Sequence, residues 1–303
     1  MSTRERTVIL PPGLEQLLIT LPAIYTGNAY RSWMHHEGLT APSCLLWSGL
    51  LYSDHTPATN VKLCSHPART DLSIVYEGPK LTVARLMVFS AMLAHLKAST
   101  GETFFGHPQP FSLGALCRLL GLTKSGKTQQ TLRRHLTLLA KGTLQTVHIK
   151  GPASTYFCPR FLHASKKEVK VLQAPAHHIP LPLLQISTTD ATVTVDGRWR
   201  LLLDRGWTAL SPIHMASLSP LARLFLLFLR SHSGNPQVHS IAFLAELFHQ
   251  KKSHAYTSLL LALQELKKHD HIASYENTQN VVRVWLCRFS LSGKAANAEA
   301  FLS

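Results

Sequence analysis

The sequence predicts an α+β protein, mainly α, in which one arrangement of elements occurs twice. Three observations carry that prediction. In each half a long apolar helical period is followed by a short helix, a turn and a second long helix. Each triplet then runs into segments whose apolar residues alternate, the mark of a hairpin. Between the halves lies a stretch without any period that holds Pro175, Pro180 and Pro182 beside His177 and His178, where no helix can run. Helix, helix-turn-helix and hairpin in that order is the winged-helix plan, so two tandem winged-helix domains are expected.

Residues 1–60 mix Tyr30, Trp33 and Trp47 with His35, His36 and several prolines. No period assigns them a structure, and they are set apart as an N-terminal extension. The first winged helix is expected over 61–165. Short strands at 61–63 and 72–76 come first, with a turn at Glu77-Gly78-Pro79. A helix over 81–98 follows from the spacing of Leu81, Leu86, Phe89, Leu93 and Leu96. Ser112 is suited to cap a helix over 113–120 that Gly121 stops. A second helix spans 127–140, and extended segments at 143–149 and 155–161 join through Gly151-Pro152. Residues 166–190 read as a linker. The second winged helix is expected over 191–290, beginning with a hairpin over 192–203 that turns at Asp196-Gly197. Helices over 220–231, 241–249 (capped by Ser240) and 253–269 follow, then strands at 272–276 and 281–288. Residues 291–303 form a tail. The repetition is architectural, without a residue-level repeat.

The charge is far from balanced: 31 Lys and Arg against 16 Asp and Glu give +15. Such a surplus attracts polyanions, and nucleic acid is the commonest. A hydrophobic content of 45% argues against global disorder. Cys44, Cys64, Cys117, Cys158 and Cys287 are scattered without a C-x-x-C pair, which disfavours a disulfide framework or a cysteine zinc site and suits a reducing cytoplasm. Arg4, Glu5, Arg6, Pro11 and Pro12 leave no room for a signal-peptide core, and the apolar run at 224–229 is too short to span a bilayer. A soluble protein of a bacterial cytoplasm is expected, with no membrane partner.

The helix over 127–140 holds the most chemistry. At about 100° per residue, Leu132, Leu136 and Leu139 share one face. Lys127, Gln130, Arg134, Thr137 and Lys141 lie opposite, with Arg133 on the flank and Lys124 just before. A helix in the major groove needs this division, because Arg pairs with guanine, Gln with adenine and Lys with phosphates. A merely solvated face would usually mix in acids, yet no Asp or Glu occurs between Thr103 and Lys167. The corresponding helix of the second half buries Ala255, Leu259, Leu263 and Leu266 and turns His254, Thr257, Leu261, Gln264 and Lys268 outward. Lys251, Lys252, Ser253, His254 and Thr257 stand at its start, where a recognition helix meets base edges. Arg283 and Arg288 are placed to touch backbone phosphates.

Two motifs compete with this reading. Gly121-Leu122-Thr123-Lys124-Ser125-Gly126-Lys127-Thr128 matches the phosphate-binding pattern G-x-x-x-x-G-K-[ST], but that chemistry needs a strand to deliver the loop. The segment before Gly121 has helical spacing, so the match is read as the turn of a helix-turn-helix. His269-Asp270-His271 has an acid where a metal-dependent nicking site needs an apolar residue, and a helix end where it needs a strand. No catalytic constellation, metal set or cofactor motif emerges, so the protein is expected not to be an enzyme.

Two stretches resemble a known family. The run from Leu72 to Ala94, LSIVYEGPKLTVARLMVFSAMLA, is similar to the strand-turn-helix entry of iteron-binding plasmid replication initiators of the RepC and TrfA kind. Leu218-Ser219-Pro220-Leu221-Ala222-Arg223-Leu224 resembles the start of their second domain. The resemblance covers roughly 61–288. It implies binding to repeated sites (iterons) in double-stranded origin DNA, opening of an adjacent AT-rich tract, and loading of the host replicative helicase. It also implies contact with a host initiator and, since the first winged helix of such proteins binds DNA or dimerises, a homodimer. A transcriptional regulator of the same fold is the alternative, and a P-loop NTPase a more distant one.

Overall fold

The computed structural model describes residues 28–54, 58–64, 72–149, 181–187, 191–204, 206–232, 234–278 and 280–287. The strand expected at 155–161, Arg288 and the tail at 291–303 lie outside them. The described chain is α+β, mainly α, and carries two winged helices in tandem.

In the first, strand β3 (Asn60–Cys64) and strand β4 (Leu72–Pro79) pair antiparallel and lead through β5 (Leu81–Thr82) into helix α3 (Val83–Thr100). Thr82 caps α3 by accepting from the Arg85 amide. From Val83 to Ala94 every side chain of α3 is buried, so this helix is the axis of the domain rather than a half-exposed one. Helices α4 (Leu113–Leu119) and α5 (Gly126–Ala140) pack on it. Strand β7 (Thr143–Ile149) then returns beside β4. The exit of α5 touches β4 through two glycines. A Cβ on Gly78, whose φ is +146°, would lie 2.7 Å from the Gly142 Cα, so both must be small.

The second winged helix repeats the order. Helix α8 (Pro220–Arg230), capped by Ser219, buries every residue from Ala222 to Leu229. Strand β12 (Gln237–Ser240), helix α9 (Ile241–Leu247) and helix α10 (Lys252–Lys268) follow, with Ser240 capping α9. Strands β13 (Ile272–Thr278) and β14 (Val281–Leu286) close the sheet in the order β12-β14-β13. The two axial helices each carry Ala-Arg-Leu in their first turns, and in each the arginine is buried, which the sequence does not announce. Arg85 donates to the Lys80 carbonyl, and Arg223 to the carbonyls of Met215 (2.8 Å) and Ala216 (3.2 Å). Each guanidinium thus satisfies the chain that enters its helix, which keeps a buried charge tolerable.

Three stretches differ from expectation. Residues 28–52 are part of the core. Helix α1 (Asn28–His35) buries Tyr30 and Trp33, strand β1 (Leu39–Pro42) leads into helix α2 (Ser43–Trp47), and β2 (Leu51–Tyr52) pairs parallel with β5. Within the expected linker, β8 (Leu181–Pro182) joins β7, and β9 (Gln185–Ser187) pairs with β10 (Thr192–Thr194), which pairs in turn with β6 (Gln109–Pro110). The hairpin expected over 192–203 is instead β10 followed by helix α6 (Trp199–Asp204). Asp196 accepts from the Arg198 amide (2.9 Å) and pairs with its guanidinium, starting a helix where a hairpin would have turned. Trp199, Leu202 and Leu203 then fall on one buried helical face. Strand β11 (Trp207–Leu210) pairs with β1 along its length, and helix α7 (Pro212–Ala216) leads to α8.

The segment 48–54 is wedged between the two winged helices. The His249 ring, in the turn between α9 and α10, stacks on Tyr52 at 4.1 Å, and its Nε2 donates to the Gly49 carbonyl at 2.9 Å. His249 has φ +54°, and burial pulls its pKa below the usual histidine value against the effect of that hydrogen bond.

Candidate nucleic-acid interface

Helix α4 ends at Leu119 with Leu120 as its C-cap, and Gly121 takes φ +68°, a left-handed conformation that glycine accepts without cost. The Leu122 amide returns to the Cys117 carbonyl at 2.8 Å, and Ser125 caps α5 by accepting from the Thr128 amide at 3.1 Å. The stretch that matches the phosphate-loop pattern is therefore a turn between two helices. No strand delivers it, and its Gly121, Leu122, Ser125 and Thr128 amides are hydrogen-bonded within the helix-turn-helix.

The turn aims α5 with Leu132, Leu136 and Leu139 buried. Lys127, Gln130, Arg133, Arg134 and Thr137 are all exposed, as are Lys124 before the helix and Lys141 after it. Thr137 donates its hydroxyl to the Arg133 carbonyl at 3.0 Å, so it meets a partner as an acceptor and a methyl. Beside this face runs an open groove of about 720 Å³, floored by Phe111, Leu136 and Ile186 and flanked by Lys124, Arg133 and Thr137. Strand β9, inside the expected linker, forms its far wall. No period in the sequence placed that wall there.

In the second half, α10 buries Ala255, Leu259, Ala262, Leu263 and Leu266. Lys251, Ser253, His254, Thr257, Leu261, Gln264 and Lys268 are exposed, and Lys252 is the first residue of the helix. Glu265, the one acid of this helix, is turned aside: its carboxylate accepts from the amide and hydroxyl of Ser219, both at 2.5 Å. It serves the N-terminus of α8, where a negative charge is favoured, and leaves the outward face of α10 without a competing charge. On the wing, Arg283 lies 3.6 Å from Glu276 and over the Trp285 ring, so the charge expected there for phosphates is partly compensated.

Two residues of this region carry no signal in the sequence. Tyr256, 44% exposed in the first turns of α10, accepts through its hydroxyl a hydrogen bond from Asn277 Nδ2 at 2.5 Å. The bond ties the wing strand β13 to the helix. A lone tyrosine beside a buried alanine gives no periodic hint of it.

Burial holds His36, His95, His214 and His249 below the usual value and takes His239 and His271 down to about 4. His271 is buried with Nε2 3.2 Å from the His214 carbonyl, whereas Asp270 is exposed. The His-Asp-His run thus does not converge on one point, and among the described residues no three His, Cys, Asp or Glu side chains are grouped to hold a metal. Nor is any described helix long and apolar enough to cross a membrane.

No protein-family model matches the chain, and no curated protein does. Among solved structures it is similar to a crystal structure of selenomethionine derivatives of domains 2 and 3 of RctB. The identity is 14% and the TM-score 0.50, over 81% of this chain and 98% of that one. A second structure, of RctB domains 2–3, is 14% identical with a TM-score of 0.45, over 81% of this chain and 97% of that one. At such identity the likeness is one of fold.

Proposed function

We propose that this protein is a replication initiator that reads repeated sites in double-stranded origin DNA and has no catalytic activity of its own. The observation that carries the reading is the outward face of α5. Lys127, Gln130, Arg133, Arg134, Thr137 and Lys141 project from a buried leucine stripe with no acid among them. This set supplies bidentate donors for guanine, an amide for adenine and cations for phosphates. The first turn of α10, with Lys251, Lys252, Ser253, His254 and Thr257, and Lys268 near its end, forms the second reading surface. The tandem plan and the resemblance to iteron-binding initiators support origin opening, loading of the host helicase, contact with a host initiator and a homodimer as the associated activities. The protein would act in the bacterial cytoplasm.

A gel-shift salt titration on the DNA flanking the gene tests binding. With about six phosphates neutralised, affinity falls with salt at a log–log slope of about five, and a flat response defeats the proposal. Cloning the gene with its flanking DNA on a molecule that lacks any other origin separates initiator from regulator. Persistence of the molecule supports initiation, whereas binding without persistence favours a transcriptional regulator. Magnesium-dependent ATP hydrolysis abolished by Lys127→Ala would overturn the non-enzymatic reading.

A further inference from the structure

Leu261 is 58% exposed, the most exposed large apolar side chain among the described residues. It does not belong to the core stripe, because Leu259, Leu263 and Leu266 of the same helix are buried while it points the other way. It stands instead in the outward row His254, Thr257, Leu261, Gln264 and Lys268, spaced three and four residues apart on one face. That row contains no acid, and Glu265 beside it is held by Ser219. Leu261 thus offers an apolar contact within a surface that otherwise suits a polyanion.

We infer that Leu261, with the Thr257 methyl one turn before it, reads the 5-methyl groups of thymines in the major groove. The inference rests on the DNA-reading proposal above and names which bases the second surface selects. Charge complementarity points to duplex DNA as the occupant: the chain is strongly basic, at +15, and Lys251 and Lys268 are exposed near the two ends of the row. In the major groove the apolar group that base pairs present is the thymine methyl. Ser253, His254 and Gln264 supply the polar contacts around it, so α10 reads a mixed site in which thymines lie under its middle turns.

Replacing thymine by deoxyuridine tests this, because it removes the methyl and leaves the pairing edge and phosphates in place. The full-length chain is first used to select binding sequences from random duplexes. Each thymine in the protected region is then replaced by deoxyuridine, and binding is measured for the wild type, Leu261→Ala and Thr257→Ser. Both positions are exposed, and alanine suits a helix; circular dichroism checks that both variants fold. Wild-type binding weakens roughly fourfold for each methyl met. Leu261→Ala binds the thymine duplex correspondingly less well and loses its sensitivity to the replacement at one position, and Thr257→Ser does the same at a neighbouring one. Selected duplexes that bind equally with either base overturn the inference while leaving DNA reading intact. So does a methyl effect that persists undiminished in Leu261→Ala, or a change of oligomeric state in that variant, which would assign Leu261 to a second copy of the chain. Failure to select any sequence overturns the DNA-reading proposal itself.

Discussion

The Arg223 guanidinium lies 3.1 Å from the Asp54 carboxylate, and both side chains are more than nine-tenths buried. Asp54 also accepts, at 2.7 Å, from the Ala84 amide in the first turn of α3. One carboxylate therefore joins the axial helices of the two winged helices, with the positive end of α3 and the charge of α8 both directed at it.

Asp54→Ala takes from the buried Arg223 guanidinium the carboxylate that pairs with it at 3.1 Å. It should lower the unfolding free energy by about 3–5 kcal/mol, the usual cost of breaking one side of a buried pair. Arg223→Ala should cost a similar amount. The double variant should cost clearly less than the two together, because the second change removes a charge that has already lost its partner. Urea unfolding of the four proteins measures this, and additive losses would show that the pair is not coupled.

The two faces of α5 should respond oppositely. Leu132→Ala opens a cavity under the helix and should cost about 2–5 kcal/mol of stability. The double variant Arg133→Ala with Arg134→Ala should leave thermal unfolding nearly unchanged and weaken DNA binding by about 1–3 kcal/mol for each base it no longer reads. Unchanged specific binding in that variant removes α5 from the interface.

Tyr256→Phe deletes only the hydroxyl that holds Asn277. Stability should fall by no more than about 1 kcal/mol, since both groups are near the surface. Binding should weaken at an unchanged helix face, through a wing that is no longer held. Tyr256→Phe combined with Asn277→Ala should then bind no worse than Tyr256→Phe alone. A further loss in the double variant would mean that Asn277 contacts DNA directly.

Stability should decline on acidification. Burial first, and the charge of His232 second, take the His239 pKa from 6.5 to about 4, and burial with Arg230 does the same for His271. The unfolded chain therefore binds these protons before the folded one does. The stabilisation is whole above pH 6.5 and is lost as pH falls from there toward about 4. Melting temperature recorded across that window should drop, and His239→Gln should flatten the slope.

Much of this architecture is legible locally. A helix that buries one stripe must repeat its leucines every three or four residues. The period of Leu132, Leu136 and Leu139 thus located α5 and, by difference, its outward cations, and Ala255, Leu259, Leu263 and Leu266 did the same for α10. Caps work over three residues, so Ser112 and Ser240 marked helix starts that the fold retains. Strands of two or three residues such as β2, β8 and β9 are too short for alternation to appear, and their pairing depends on distant partners. Residues 28–52 and 181–187 therefore gave no sign of their place.

The chain by itself determined what each helix hides and what it shows, because amphipathic spacing is a property of neighbours along the backbone. Only the tertiary structure decided how the halves are held. Asp54 and Arg223 stand 169 positions apart, and His249 reaches Gly49 across 200. An ion pair or a hydrogen bond between such residues leaves no period in the sequence. Folding alone brings the partners together and, for Asp54 and Arg223, removes both charges from water at the same point.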